Sequence, residues 1–116
     1  MCAGAATTTV YPTTNSDDTA YILGDSECRV VFAEDDAQLE KLKEHRSELP
    51  RLEKVVTFDG TADGDWVITM DALADLGDKF LAEHPEVIET TAKAIAPDQL
   101  ATLIYTSLFV GSVRCV

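Results

Sequence analysis

The sequence predicts an α/β fold: a mostly parallel sheet with flanking helices, in a chain of 116 residues. Short apolar segments alternate with amphipathic ones in the order strand, helix, strand, helix, strand over residues 7–58. This alternation favours parallel strands joined by right-handed helical crossovers. The length allows one small domain with a single hydrophobic core.

The first three elements follow from local signals. Threonine, valine and tyrosine at 7–11 favour a strand, which Pro12 ends because it cannot donate to a ladder. Asn15 or Ser16 is expected to cap a helix that stops at Gly24. The apolar run at 29–33, which is bounded by charged residues, predicts a strand buried on both faces.

The remaining elements are read in the same way. Acidic residues at 34–36 predict the start of a helix that Pro50 ends. Tyr21 and Trp66 are expected to be packing residues. Two further strands and two further helices are expected, in the order 55–58, 66–69, 71–81 and 86–93.

Composition limits the classes of partner and location. The formal net charge is −12, which argues against a nucleic-acid partner because no basic stripe exists to displace counterions. Cys2, Cys28 and Cys115 are odd in number and form no C-x-x-C pair, which predicts reduced thiols and a cytoplasmic location. No apolar run approaches the roughly 20 residues that a transmembrane segment needs.

The stretch at 98–116 is expected to carry most of the functional information. An apolar run at 100–105 leads into Thr106 and Ser107, which predicts a buried strand delivering hydroxyl groups to a loop. Loops at the carboxyl ends of strands are where α/β proteins bind ligands. On the residues alone, the plain alternative is that both hydroxyls simply end a strand.

The wording of this stretch, DQLATLIYTS at 98–107, resembles the lead-in to the phosphate-binding loop of the AMP-binding, adenylate-forming acyl-CoA synthetases. That loop reads approximately Y-T-S-G-T-T-G-x-P-K-G. Tyr105, Thr106, Ser107 and Gly111 match it. The sequence departs from the pattern at Leu108, Phe109, Val110, Val113, Arg114 and Cys115.

The resemblance extends through most of the chain. VYPTTNSDDTAYILGDSECRVVFAEDD at 10–36 resembles the family's early segment, with its Y-P-T, A-Y-I-L-x-D-S and R-V-V-F-x-E elements, and is most similar to bacterial long-chain fatty acyl-CoA synthetases. The resemblance identifies residues 1–116 as a partial AMP-binding domain. It implies an internal fragment of the large N-terminal domain, truncated at both ends, with 108–116 outside the family pattern.

The resemblance implies a function and its site residues. The family joins a long-chain fatty acid to CoA through an acyl-adenylate, with ATP and Mg²⁺ as cofactors and CoA as co-substrate. Thr106 and Ser107 would donate hydroxyls to the ATP phosphates, Gly111 would allow close backbone approach, and Arg114 would replace a lysine. No catalytic or metal-binding residue is assigned.

The departures from the pattern lower the expected activity. Phe109 and Val110 stand in place of two threonines, so the loop is expected to bind ATP poorly and the isolated chain to be inactive. The alternative is a free-standing, non-catalytic α/β binding or interaction module. Exposed sheet edges would also favour self-association.

Other candidate residues have plainer interpretations. His45 is expected to be solvated on a charged helix, and His84 to cap or pack at a helix break. They are far apart in sequence, which disfavours a histidine metal site. The D-G-T-A-D-G-D run at 59–65 lacks the full EF-hand spacing and is expected to be a solvated turn. Cys28 is expected to be a core residue.

Overall fold

The structure is a computed structural model that describes residues 3–105. Within that range the strands are β1 (Thr7–Thr8), β2 (Val30–Ala33), β3 (Lys54–Thr57), β4 (Val67–Thr69) and β5 (Thr102–Leu103). The helices are α1 (Ser16–Asp25), α2 (Asp36–Glu44), α3 (Met70–Glu83) and α4 (Val87–Ala94), with a short 3-10 helix at Arg46–Glu48.

The five strands pair with one another in parallel, and an isolated antiparallel bridge joins Asp63 to Val67. One sheet has the order β2-β3-β4, in register with Val31 opposite Val55 and Val56 opposite Ile68. A second sheet pairs β1 with β5, with Thr7 opposite Thr102. Parallel strands flanked by helices confirm the predicted α/β class.

The core forms where α1 and α2 pack against the three-stranded sheet. Its members are buried apolar side chains from both helices, all three strands and the adjoining loops: Leu23, Ala33, Leu39, Leu42, Leu49, Leu52, Val55, Trp66 and Val67. Val56 is also fully buried, although side-chain alternation places it on the opposite face of β3 from Val55. The central strand β3 is therefore covered on both faces.

The strand β2 differs from its prediction. Val30 and Phe32 are 45% and 54% exposed, so the expectation of burial on both faces is wrong. The reason is position: within residues 3–105, β2 is an edge strand that pairs only with β3. An apolar run in the sequence indicates a hydrophobic segment, but it does not indicate whether strands will pair with that segment on one side or on both.

The terminal strand also differs from its prediction. Residues of β5 do pair in parallel with β1, but Leu100 and Ile104 on either side of it are exposed. The predicted burial is wrong because β5 pairs only with β1 within residues 3–105. The expected hydroxyls of Thr106 and Ser107 lie outside the described residues.

Helix starts were predicted better than helix ends. The Asn15 side chain caps α1 by accepting from the Asp18 backbone N–H at 2.7 Å, and Asp35 caps α2 by accepting from Gln38. The helix α1 continues one residue past Gly24. The helix α2 ends well before Pro50, and the 3-10 helix carries the chain to that proline.

The two predicted packing aromatics have opposite outcomes. Trp66 is 8% exposed, its Nε1 donates to the Leu52 carbonyl at 3.3 Å, and the Arg46 guanidinium lies 4.4 Å from its ring centroid. That prediction is confirmed. Tyr21 is 65% exposed on α1, so the same prediction is wrong for it. None of the helices in the described residues combines the length and the apolar character needed to cross a membrane.

The turn after β3 generates a prediction. The buried Thr57 hydroxyl accepts from the Gly60 N–H at 2.8 Å, and a Cβ on Gly60 would clash with that hydroxyl and lie 2.7 Å from Leu39 Cδ1. We expect Gly60→Ala to lower the free energy of unfolding by about 1–3 kcal/mol because the core must shift to admit the methyl group. The midpoint of urea unfolding measures the change.

A second glycine provides the matched control. Gly77 lies within α3, and a Cβ there would meet no atom within 4 Å. Gly77→Ala should raise the free energy of unfolding by roughly 0.5–1 kcal/mol through helix propensity. Equal changes in the free energy of unfolding for the two substitutions would show that close packing around Gly60 does not exclude a methyl group.

Candidate functional site

The candidate site lies where β1 and β5 end. Because the two strands are parallel, the residues that follow them meet at the same end of their sheet. The pairing is reinforced by a Thr7 N–H donating to the Ala101 carbonyl at 3.0 Å and by the Thr102 hydroxyl donating to the Thr7 carbonyl at 2.7 Å. These contacts bring the Y-P-T segment and the start of the Y-T-S segment to one end of the sheet.

The predicted phosphate-binding residues begin one position beyond the described range. Thr106, Ser107, Gly111 and Arg114 lie outside it, and their roles stay predictions. The structure does describe Tyr105, the residue that directly precedes Thr106.

The Tyr105 side chain reaches back to the first helix. Its hydroxyl donates to Asp25 Oδ2 at 2.6 Å, across 80 positions of sequence. This hydrogen bond to the carboxylate raises the pKa of Tyr105 to about 12, since ionisation would lose the bond and put two negative charges in contact. Sequence reasoning missed this contact, because nothing in local spacing links the end of a helix to a strand so far along the chain.

The Y-P-T segment at 11–14 is fixed by the second helix. Lys41 Nζ donates to the carbonyls of Pro12 and Thr14 at 2.8 and 2.7 Å, and to Gln38 Oε1 at 3.1 Å. Gln38 Nε2 also donates to the Pro12 carbonyl, at 3.3 Å. Carbonyls that would otherwise need water thus bind one ammonium group, which sets the path of the segment.

An apolar cleft of about 180 Å³ lies between this segment and the carboxyl ends of β2 and β3. The rings of Phe32 and Phe58, which both line the cleft, stack with centroids 6.2 Å apart and an interplanar angle of 28°. Its described lining consists of Val10, Pro12, Thr19, Leu23, Val31, Phe32, Ala33, Glu34, Gln38, Leu42 and Phe58. Among these residues Glu34 alone carries a charge, so the cleft suits an apolar or aromatic group better than a phosphate.

A larger and more open hollow of about 410 Å³ lies between α3 and α4. Its lining includes Phe80, His84 and Val87, together with the two acidic residues Glu83 and Glu86. None of the described residues that line this hollow comes from a strand end, and the two glutamates would repel an anionic ligand. We therefore place the candidate site at the strand ends.

Two of the other candidate features, His84 and the 59–65 run, match their predictions, and Cys28 matches its prediction in part because it is partly buried against the core. His84 ends α3 and its ring packs on Phe80 with centroids 4.7 Å apart. Cys28 packs against the core, its thiol donates to the Val30 carbonyl at 3.1 Å, and burial raises its pKa. The aspartates of the 59–65 run are exposed. In residues 3–105, no group of three His, Cys, Asp or Glu side chains is placed to hold a metal ion.

The prediction for His45 is wrong. Its side chain is only 15% exposed and lies between two carboxylates, with Nε2 at 3.1 Å from Asp17 Oδ1 and Nδ1 in contact with Glu48 Oε2. The hydrogen bond to Glu48 raises the pKa of His45, and the charges of Asp17 and Glu44 act in the same direction. His45 therefore links the start of α1 to the end of α2.

Comparison with known proteins assigns the chain to a family. The family model of AMP-binding enzymes matches residues 1–107. This chain belongs to the AMP-binding enzyme family. The assignment confirms the resemblance seen in the Y-P-T and Y-T-S segments.

Two curated relatives of the chain are long-chain-fatty-acid–CoA ligases. The chain is 29% identical over 107 residues to the ligase FadD15 of Mycobacterium bovis, covering 92% of this chain and 17% of that protein. It is 30% identical over 116 residues to the ligase ACSBG1 of Rattus norvegicus, covering 98% and 16%. The chain thus spans about a sixth of the length of these relatives. No solved structure gives a significant match.

The histidine between two carboxylates predicts a pH-dependent stability. Because the folded-state pKa of His45 lies above its ordinary value, its contribution is fully present below that ordinary value and is lost as pH rises through the folded-state pKa. We expect the stability difference between the parent and His45→Gln to shrink as pH rises from about 6 to about 9, measured by urea unfolding.

Glu48→Gln tests the cause of that effect. It replaces the carboxylate that contributes most to the raised pKa by a neutral amide, which removes the negative charge while leaving the imidazole in place. The free energy of unfolding of this variant should therefore change less with pH, between about 6 and about 9, than that of the parent. If the free energy of unfolding depends on pH in both variants as it does in the parent, His45 is not the cause of the pH dependence.

Proposed function

We propose that this chain forms part of the ATP-binding domain of a ligase that joins a long-chain fatty acid to CoA. Membership of the AMP-binding family and the activities for which FadD15 and ACSBG1 are named support the proposal. The observation that carries it is the parallel β1–β5 pair, which brings Tyr105 to the same sheet end as the Y-P-T segment. Residues 1–116 would then be a partial AMP-binding domain, with 108–116 outside the family pattern.

The proposed reaction has two steps. A fatty-acid carboxylate oxygen attacks the α-phosphorus of ATP, which forms an acyl-adenylate and releases pyrophosphate. The CoA sulfur then attacks the acyl carbon, which forms a thioester and releases AMP. Both steps build negative charge on oxygen atoms, so the site needs hydrogen-bond donors held in place beforehand.

We assign the donors of this chain to the ATP phosphates. Thr106 and Ser107 would donate their hydroxyls, Gly111 would let the backbone N–H approach closely, and Arg114 would supply a positive charge. Mg²⁺ would accompany the phosphates, and we assign it no ligand from this chain. A cytoplasmic location, supported by the spacing of the cysteines, belongs to the same proposal.

The sequence of the loop limits what the chain does alone. Leu108, Phe109 and Val110 add apolar bulk where the family pattern has a glycine and two threonines. A bulky side chain in place of glycine hinders close backbone approach to phosphate, and each threonine lost removes a donor. We therefore propose that the isolated chain binds ATP weakly and does not form acyl-adenylate.

A loop-restored variant tests the proposal. It carries Leu108→Gly, Phe109→Thr, Val110→Thr, Val113→Pro, Arg114→Lys and Cys115→Gly. We expect it to bind Mg-ATP about tenfold or more tightly than the parent in isothermal titration calorimetry, because charge-assisted hydrogen bonds are regained. Adding Thr106→Ala and Ser107→Ala should remove the gain. The parent should give no ATP–pyrophosphate exchange with a fatty acid present.

Each opposite result has a definite meaning. Equal, negligible ATP binding by the parent and the loop-restored variant would favour the non-catalytic binding module instead. Exchange by the parent above the background without protein would refute the proposed inactivity. Tight ATP binding that survives loss of both hydroxyls would refute the roles assigned to Thr106 and Ser107.

Self-association through an exposed sheet edge is a further part of the proposal. The edge strand β2 is the basis for it, because within residues 3–105 this strand pairs with β3 on one side and carries the exposed Val30 and Phe32 side chains. We expect the sedimentation coefficient to rise with concentration in the parent and to stay constant in Val30→Lys. Ile88→Lys, at an exposed apolar position on α4, is the matched control and should behave like the parent. The reverse pattern would place association on the helices.

A further inference from the structure

Three side-chain hydrogen bonds hold the segment at 99–105, which contains β5. Side-chain hydrogen bonds from Gln99 and Thr102 reach the β1 segment, at 2.6 and 2.7 Å. The third hydrogen bond, from Tyr105 to Asp25, reaches α1 instead. Among the hydrogen bonds of residues 3–105, it is the one that ties the end of β5 to the helices and three-stranded sheet around the core.

Asp25 is well fixed for such a contact. It is the last residue of α1, and the chain beyond it closes in a Schellman turn. The Cys28 N–H donates to the Leu23 carbonyl at 3.0 Å and the Glu27 N–H donates to the Gly24 carbonyl at 3.2 Å, with Glu27 at φ +54°. Leu23 is a core residue, so the backbone that carries the Asp25 carboxylate is anchored in the core.

The position of Asp25 is electrostatically unfavourable for the helix itself. A carboxylate in the last turn meets the negative end of the helix dipole, where a basic residue would be stabilising. The last turn of α1 contains no basic residue. The Tyr105 hydroxyl therefore offsets a local cost by donating to this carboxylate.

We propose that Asp25 is a positioning residue for ATP binding: it accepts the hydrogen bond of the Tyr105 hydroxyl and so fixes the point where β5 leads into Thr106 and Ser107. The inference rests on the proposed function, because it takes the hydroxyls of Thr106 and Ser107 to bind phosphate. Asp25 acts through Tyr105 and contacts neither ATP nor the fatty acid.

The covalent geometry explains why this contact matters. Consecutive Cα atoms are about 3.8 Å apart, so holding the Tyr105 side chain at Asp25 restricts the point from which the chain continues. β5 has only two paired residues. Without the hydrogen bond to Asp25, the segment that follows β5 would have to become ordered when ATP binds, and the entropic cost would weaken binding. The raised pKa of Tyr105 agrees with a retained hydrogen bond, and Tyr21 is the other ionisable group that acts on it.

Three variants in the loop-restored chain test the proposal. Asp25→Ala removes the acceptor, Tyr105→Phe removes the donor, and the double variant removes both. Glu27→Gln is the matched control. It also removes one negative charge, two positions from Asp25, but the Glu27 carboxylate pairs with Arg51 at 3.0 Å and not with Tyr105. Asp25→Asn keeps a neutral acceptor and should restore part of the effect.

We expect Asp25→Ala and Tyr105→Phe each to weaken Mg-ATP binding by about three- to tenfold, since a hydrogen bond to a charged group is lost at a partly exposed site. The double variant should be no weaker than either single variant, as for two partners in one contact. In the ultraviolet titration of tyrosine, the transition at about 12 should disappear in Tyr105→Phe. It should move toward about 10 in Asp25→Ala.

An Asp25→Ala affinity equal to that of Glu27→Gln, or additive effects in the double variant, would overturn the proposal. If the loop-restored chain binds no ATP, the proposed function fails, and the anchor is then judged in the unaltered chain. There, the amide nitrogen and hydrogen chemical shifts of Thr106 and Ser107 should change in Asp25→Ala and Tyr105→Phe alike but not in Glu27→Gln. Unchanged shifts would overturn the anchor independently of ATP.

Discussion

Burial of the central strand β3 is the constraint on which the other contacts depend. Val55, Val56 and Thr57 are almost fully inaccessible, and β3 pairs with a parallel strand on each side. Every main-chain polar group there needs a partner, and every side chain must fit between layers. The turn after β3 is consequently held against α2: the Asp36 carboxylate accepts from the Thr61 N–H at 2.8 Å.

Two chains of contacts lead from that core to the candidate site. One runs through α2, where Leu39 and Leu42 are buried and Lys41, on the same helix, binds the carbonyls of the Y-P-T segment. The other runs through α1, where Leu23 is buried and Asp25 meets Tyr105. The core thus fixes both segments that carry the family resemblance, although neither segment is itself deeply buried.

The sequence predicted features whose cause is local. The caps formed by Asn15 and Asp35 follow from a short polar side chain before a helix, and the burial of Trp66 follows from its size and apolar surface. The predictions from sequence were wrong where the feature depends on a residue that is distant in the chain. Nothing near Val30 indicates that β2 lies at an edge, and nothing near His45 indicates that Asp17 lies against it.

The candidate site shows the same difference between local and long-range features. The stretch at 98–107 and the segment at 10–36 together predicted the family by resemblance, and a strand followed by hydroxyls predicted a ligand site at the end of that strand. The anchor of that segment was hidden, since its two residues lie 80 positions apart. Yet Asp25 and Tyr105 both belong to segments that match the family pattern, and the departures start at Leu108. The departures therefore alter the loop proposed to bind phosphate without altering the hydrogen bond between Asp25 and Tyr105, which makes the two separable by substitution.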